Sequence, residues 1–116
     1  MDFQNKFSKS WTLIHLLVEE PKKKIGLFAL KESRNKYIFP CIQEIAHNLL
    51  NDSVPLKKVE QDWVRSRKKK LKLFSRKGVP KKELIRLTEK NFGLIRRMLE
   101  LSLPHLRTSA AASTSD

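Results

Sequence analysis

KKKIGLFALKESRNKYIF, Lys22 to Phe39, is the stretch whose conformation decides the fold class. Ile25 to Leu30 is almost wholly apolar, KESRN follows from Lys31 to Asn35, and Tyr37, Ile38 and Phe39 close the segment. Taken as two short apolar runs around a polar turn, it forms a β-hairpin. Taken with helical periodicity, it is a short helix after Pro21 with Ile25, Phe28 and Ala29 inward, and a second helix starting near Ser33 or Pro40. The sequence beyond it favours the helices. Ile38, Cys41, Ile42, Ile45 and Leu49 keep helical spacing straight through Pro40, which must then stand at position N1 or at a kink. The expectation is therefore a mainly α fold, with an α+β fold carrying a short β-hairpin within 22–39 as the alternative.

Upstream, residues 1–7 read as frayed. Ser8 or Ser10 can cap a helix running to about Glu20, with Trp11, Ile14, Leu17 and Val18 on its apolar face, and Pro21 ends it. Downstream, Asn51, Asp52 and Ser53 interrupt the chain, and Ser53 can cap a longer helix carrying Leu56, Val59, Trp63, Leu71 and Phe74. Gly78 stops that helix and Pro80 suits position N1 of the next. On the last helix, Leu84, Leu87, Thr88, Asn91, Phe92, Ile95, Met98, Leu99 and Ser102 follow one face, and Leu103–Pro104 ends it. Helices near 54–77 and 80–103 would each be roughly 36 Å long. A two-residue link makes them neighbours in an αα-hairpin. The expected architecture is a small bundle of four to five helices with a long C-terminal αα-hairpin. It occupies one domain over 1–104, with 105–116, ending TSAAASTSD, as a disordered tail.

Composition narrows the function. Of 116 residues, 40% are apolar, which supplies a small core but not a deep enclosed active site. The longest apolar runs are too short to span a membrane. The first 20 residues carry three acids against two bases and no small-residue cleavage site, so they fit neither a secretory signal nor a mitochondrial presequence. A single cysteine, Cys41, excludes an intramolecular disulfide and a four-cysteine zinc site, and suits a reducing intracellular compartment. In a eukaryotic host, PKKK at Pro21–Lys24 or RSRKKKLK at Arg65–Lys72 could serve nuclear import; otherwise the expected location is cytoplasmic.

Twenty-five Lys and Arg against 12 acids give a formal net charge of +13. The excess is concentrated. Successive blocks of twenty carry −1, +5, −1, +7 and +3, and the last sixteen residues are neutral. Arg65 to Lys82 holds ten bases and no acid. Such a run repels itself in the free protein, and a polyanion would relieve that cost.

On a continuous third helix, Lys58, Arg65, Lys69, Lys72 and Arg76 would share one side, with Arg67, Lys68 and Lys70 widening the band and Lys77 following it. On the last helix Lys82, Arg86, Lys90 and Arg97 would form a second stripe, with Gly93 at its centre. Arg offers a planar fork to phosphate oxygens and Lys a mobile point charge. Gly93 either lets a phosphate backbone approach or permits a close helix crossing. The expected binding residues are therefore Lys58, Arg65, Arg67, Lys68, Lys69, Lys72, Arg76, Lys77, Lys82, Arg86, Lys90 and Arg97.

Base reading has little support. There is no zinc-finger spacing and no stacking motif, and Trp11, Trp63 and most Phe fall on apolar faces. Phe74, inside the basic run, is the best candidate exception. His15, His47 and His105 are scattered and lack ligand spacing with Cys41, so no metal is expected. A Cys41–His47 pair is poorly registered, and no P-loop, GxGxxG, GxSxG or HExxH occurs, so no enzyme and no cofactor are expected. Packing explains the apolar face of the last helix better than a membrane does. Leu94, Leu101 and Leu103 broaden that face and could carry a homodimer or a protein partner.

These features point to a small basic protein that grips the phosphate backbone of duplex RNA or DNA without reading sequence. Protection of duplex RNA, as in silencing suppression, and packaging or regulation of DNA are both compatible with it. The alternative is a protein-interaction subunit of a larger nucleoprotein assembly, with the basic run serving import.

Overall fold

The computed structural model describes residues 3–114, with side chains described as far as residue 106. The fold is all-α. Among the described residues seven helices follow in order: α1 Phe3–Glu19, α2 Lys23–Glu32, α3 Ile38–Leu50, α4 Lys58–Ser66, α5 Lys68–Ser75, α6 Lys81–Lys90 and α7 Phe92–Thr114. No strand occurs among the described residues, so the hairpin alternative for 22–39 falls. The count exceeds the expected four to five because both expected long helices are interrupted.

α3 is the hub. It buries Ile38, Phe39, Cys41, Ile42, Ile45, Ala46 and Leu49, the positions its helical spacing picked out and more. With neighbours on both flanks, more than one face of it is apolar. Pro40 stands in its first turn, third from the start, where the missing N–H had no intrahelical acceptor to lose. α1 lies on α3 and α7, burying Phe7, Ser10, Ile14 and Leu17 at spacings of three, four and three. It starts earlier than its serines suggested, so Phe7 joins the core instead of fraying. Ser10 faces the loop before α3: the Asn35 side-chain amide donates to the carbonyl of Lys9 at 2.9 Å and to Ser10 Oγ at 3.5 Å.

α2 is a helix, but turned from the expected register. Gly26 and Leu30 face inward, while Ile25 and Phe28 are exposed by 44% and 66%. The cause is Phe92 of α7. A Cβ on Gly26 would lie 2.8 Å from Phe92 Cζ, so only glycine lets α2 approach that ring.

The expected αα-hairpin does not form. A 24-residue helix of roughly 36 Å would span the molecule's longest dimension, 36 Å. Instead the chain breaks at Arg67 (φ −112°, ψ 13°) and at Asn91 (φ −128°, ψ 38°). At the first break Ser66 Oγ donates to the carbonyl of Trp63 at 2.7 Å, and Arg67 N–H donates back to Val64 at 3.1 Å. At the second, Asn91 returns both its backbone N–H and its side-chain amide to the Leu87 carbonyl, each at 3.0 Å. Ser and Asn side chains offer the backbone such local alternatives to continued helix.

With the breaks in place, α5 packs on α3 through Leu71 and Phe74, and α6 packs on α2 and α7 through Leu84 and Thr88. The link between α5 and α6 runs from Arg76 to Pro80. Gly78 supplies its left-handed turn (φ +78°), and Gln43 Nε2 donates to the Arg76 carbonyl at 2.6 Å. The α4 start also differs. Ser53 does not cap it. The helix begins at Lys58, with the Lys57 N–H donating to Glu60 Oε1 at 2.8 Å. Val59 is then exposed and not inward.

α7 does not stop at Leu103–Pro104; it continues to Thr114 with Pro104 inside. The residues of the expected tail lie outside the described residues for side chains beyond 106, and altogether for 115–116. Leu101 and Leu103, expected as surplus surface, are buried against α7's neighbours, and Leu94 is half-buried.

Candidate nucleic-acid interface

The core fixes which basic residues can face a partner. In α4 and α5 only Val64, Leu71 and Phe74 are buried, so the helices rest on few anchors and turn the rest outward. All twelve expected binding residues are exposed. Among the described residues, three of them meet a carboxylate: Arg65 with Asp62 at 3.9 Å, Arg86 with Glu83 at 3.8 Å and Arg97 with Glu100 at 3.3 Å. Each pair is exposed and one turn apart, a geometry worth at most a few tenths of a kcal/mol. These acids do not hold the bases back from a stronger anion.

The two straight stripes are not what the structure builds. Lys58 and Arg65 belong to α4, Lys69 and Lys72 to α5, while Arg76 and Lys77 lie in the link beyond it. Lys82, Arg86 and Lys90 do share α6, and Arg97 lies on α7 past the second break. What replaces the stripes is three basic concavities. Arg65 to Lys70 surround the α4–α5 break. Arg67 and Lys70 also line a cleft of about 300 Å³ with Trp63, Lys90, Gly93 and Arg97. Arg76 and Lys77 instead border a groove on α3 beside Lys6 and His47, where Glu44 pairs with Lys6 at 3.6 Å.

A further basic group was not foreseen. Arg34 and Lys36, from the α2–α3 loop, line one depression with Lys81 at the start of α6. Their nearness is tertiary, and only the separate KESRNK and PKK runs signal them in sequence.

Among the described residues the close-crossing reading of Gly93 falls. The glycine is exposed, and a Cβ there would meet nothing within 4 Å, so no helix crosses it closely. Phe74 is not a stacking residue: its ring is 1% exposed, in the core under α5. Trp63 and Trp11 are half-buried against the same core. Arg67 lies over the Trp63 ring, 6.0 Å from its centroid.

Cys41 is buried in α3. Burial pushes its thiol from the ordinary 9.0 up to about 12, helped by the negative charge of Glu44 and opposed by Lys6. His47 is exposed, its Nε2 2.8 Å from the Asn51 side-chain amide. Among the described residues no group of three or more His, Cys, Asp or Glu could hold a metal ion, and no helix is long and apolar enough to cross a membrane. Compared with protein-family models, curated proteins and solved structures, the chain matches none.

Proposed function

We propose that this protein binds the phosphate backbone of duplex nucleic acid, RNA or DNA, largely without reading sequence. One observation carries the proposal. The ten bases from Arg65 to Lys82 are all exposed, and only Arg65 among them meets a carboxylate among the described residues. A run kept in that state raises the energy of the free protein and favours a polyanion. The buried position of Phe74 argues further against single-strand stacking. RNA protection, as in silencing suppression, and DNA regulation both use such binding, and a nuclear address fits the exposed basic clusters in a eukaryotic cell.

Fluorescence anisotropy tests it, with labelled duplex RNA, duplex DNA and single-stranded RNA of equal length over a salt series. Contact with five to eight phosphates gives a logarithmic salt slope of about −5 to −7 on duplex DNA. Weak binding, equal for all three and lost at physiological salt, would overturn the proposal.

A second reading has its own observation. Ile25 and Phe28 stand exposed on one face of α2, beside Lys22, Lys23 and Lys24. That surface, in place of the buried Leu101 and Leu103, suits a protein partner or a second copy in a larger assembly. Replacing Ile25 and Phe28 by Ser would then abolish complex formation or dimerisation and spare nucleic-acid binding.

A further inference from the structure

The two helix breaks meet. Arg67, between α4 and α5, and Asn91, between α6 and α7, line the same cleft of about 300 Å³. We infer that this cleft is the anchoring seat for a backbone phosphate, so that affinity centres there and is not spread evenly over the basic surface; the inference rests on the nucleic-acid reading above.

Arg67 and Lys70 come from the α4–α5 region, Lys90 and Arg97 from α6 and α7, and among the described residues no acidic one lines the cleft. Of the four, only Arg97 meets a carboxylate among the described residues. Four cations around one concavity repel one another in the free protein. A phosphate removes that cost, with two planar forks and two mobile ammonium groups to receive its oxygens. The fork of Arg67 is held for this role, over the Trp63 ring and against Ser66 Oγ, to which its Nη1 donates at 3.0 Å.

Gly93 points to the same seat. Glycine weakens a helix, and here no close packing calls for it. The space it leaves opens into the cleft among the four cations. A side chain at that position would fold without conflict and stand where the phosphate sits.

The test uses the full chain with single neutral substitutions: R67Q, K70Q, K90Q, R97Q, the uncharged change G93Q, and K82Q as an equal charge loss outside the cleft. Binding to labelled duplex RNA and duplex DNA is read at physiological ionic strength. Each cleft cation is expected to cost about tenfold in affinity, as loss of a charge-assisted contact does, and K82Q about two- to threefold. G93Q is expected to cost about tenfold with no change of charge and with thermal stability equal or higher. In parallel, the wild-type protein is titrated with inorganic phosphate and the Gly93 amide followed by NMR. A saturable shift, absent with chloride at equal ionic strength, is expected.

Cleft variants no weaker than K82Q, with G93Q unaffected, would overturn the seat while leaving duplex binding standing. A saturable phosphate shift in a protein that binds neither duplex would leave a phosphate site in the cleft but overturn both its role as a backbone seat and the nucleic-acid reading. No shift and no duplex binding would overturn both.

Discussion

Arg96 Nε donates to the carbonyl of Leu17 at 3.0 Å, joining residues 79 apart in sequence. A second guanidinium nitrogen of Arg96 donates to the Glu20 carbonyl, and the same group lies 4.9 Å from the centroid of the Phe92 ring. One side chain thus satisfies carbonyls left without partners at the end of α1 and fixes the start of α7 beneath it. A cation there also complements the negative end of the α1 dipole. Because α7 carries Gly93 and Arg97, this contact sets where one wall of the basic cleft stands.

Replacing Arg96 by Ala removes two charge-assisted bonds and a ring contact, and is expected to cost about 2–3 kcal/mol. Arg96→Lys recovers only part, because an ammonium cannot reach two carbonyls as a fork does. Urea unfolding of both variants checks the order. Equal stability of the wild type and Arg96→Ala would mean that the contact contributes nothing.

The three glycines are expected to respond differently to alanine. At Gly26 the new Cβ meets Phe92 Cζ at 2.8 Å, and overpacking of about 1–3 kcal/mol outweighs the helix gain of about 1 kcal/mol. At Gly78 the left-handed backbone (φ +78°) makes alanine destabilising by about 1 kcal/mol despite open space around it. At Gly93 nothing opposes the change, and alanine is expected to stabilise by up to about 1 kcal/mol. Thermal melts of the three variants give the ranking directly. A destabilised Gly93→Ala would show that the glycine serves packing after all.

Cys41 is expected to resist thiol reagents in the folded protein near neutral pH and to react at once in denaturant. Its thiol is buried and held up to about 12 by that burial and by Glu44. A pKa higher in the folded state than in the unfolded chain gives stability that is fully present below the unfolded value of 9.0. It is lost as pH rises from there toward about 12. Denaturant midpoints measured at rising alkaline pH should therefore fall more steeply for the wild type than for Cys41→Ala. Parallel curves would show that the thiol does not couple to folding.

Much of the fold was legible because burial leaves a period in the sequence. The spacing of Ile38, Cys41, Ile42, Ile45 and Leu49 picked out α3 through its proline, and all five are buried. The register of α2 was not legible, since Gly26 faces inward only because the Phe92 ring waits there, 66 residues further on. The breaks at Arg67 and Asn91 escaped for a related reason. Both sit among residues that suit a helix, and what ends the helices is a serine and an asparagine returning hydrogen bonds to their own turn. The candidate site divides the same way. Which residues are exposed cations followed from the charge run, whereas the meeting of Arg67 and Lys70 with Lys90 and Arg97 depends on those unforeseen breaks.

The basic run itself makes the last prediction. Lys69, Lys72 and Arg76 are exposed, and the only one with a described tertiary bond, Arg76, uses its backbone carbonyl, which a new side chain leaves in place. Reversing all three to Glu is therefore expected to leave folding intact, with a melting temperature equal or higher because like charges no longer crowd one segment. Duplex binding, in contrast, should weaken strongly. If all three bases neutralise phosphates, the logarithmic salt slope on duplex DNA should become shallower by about 3. The slope separates contact from general charge. A variant that binds more weakly at every salt concentration but keeps the wild-type slope has lost long-range attraction only, and these three bases then touch no phosphate.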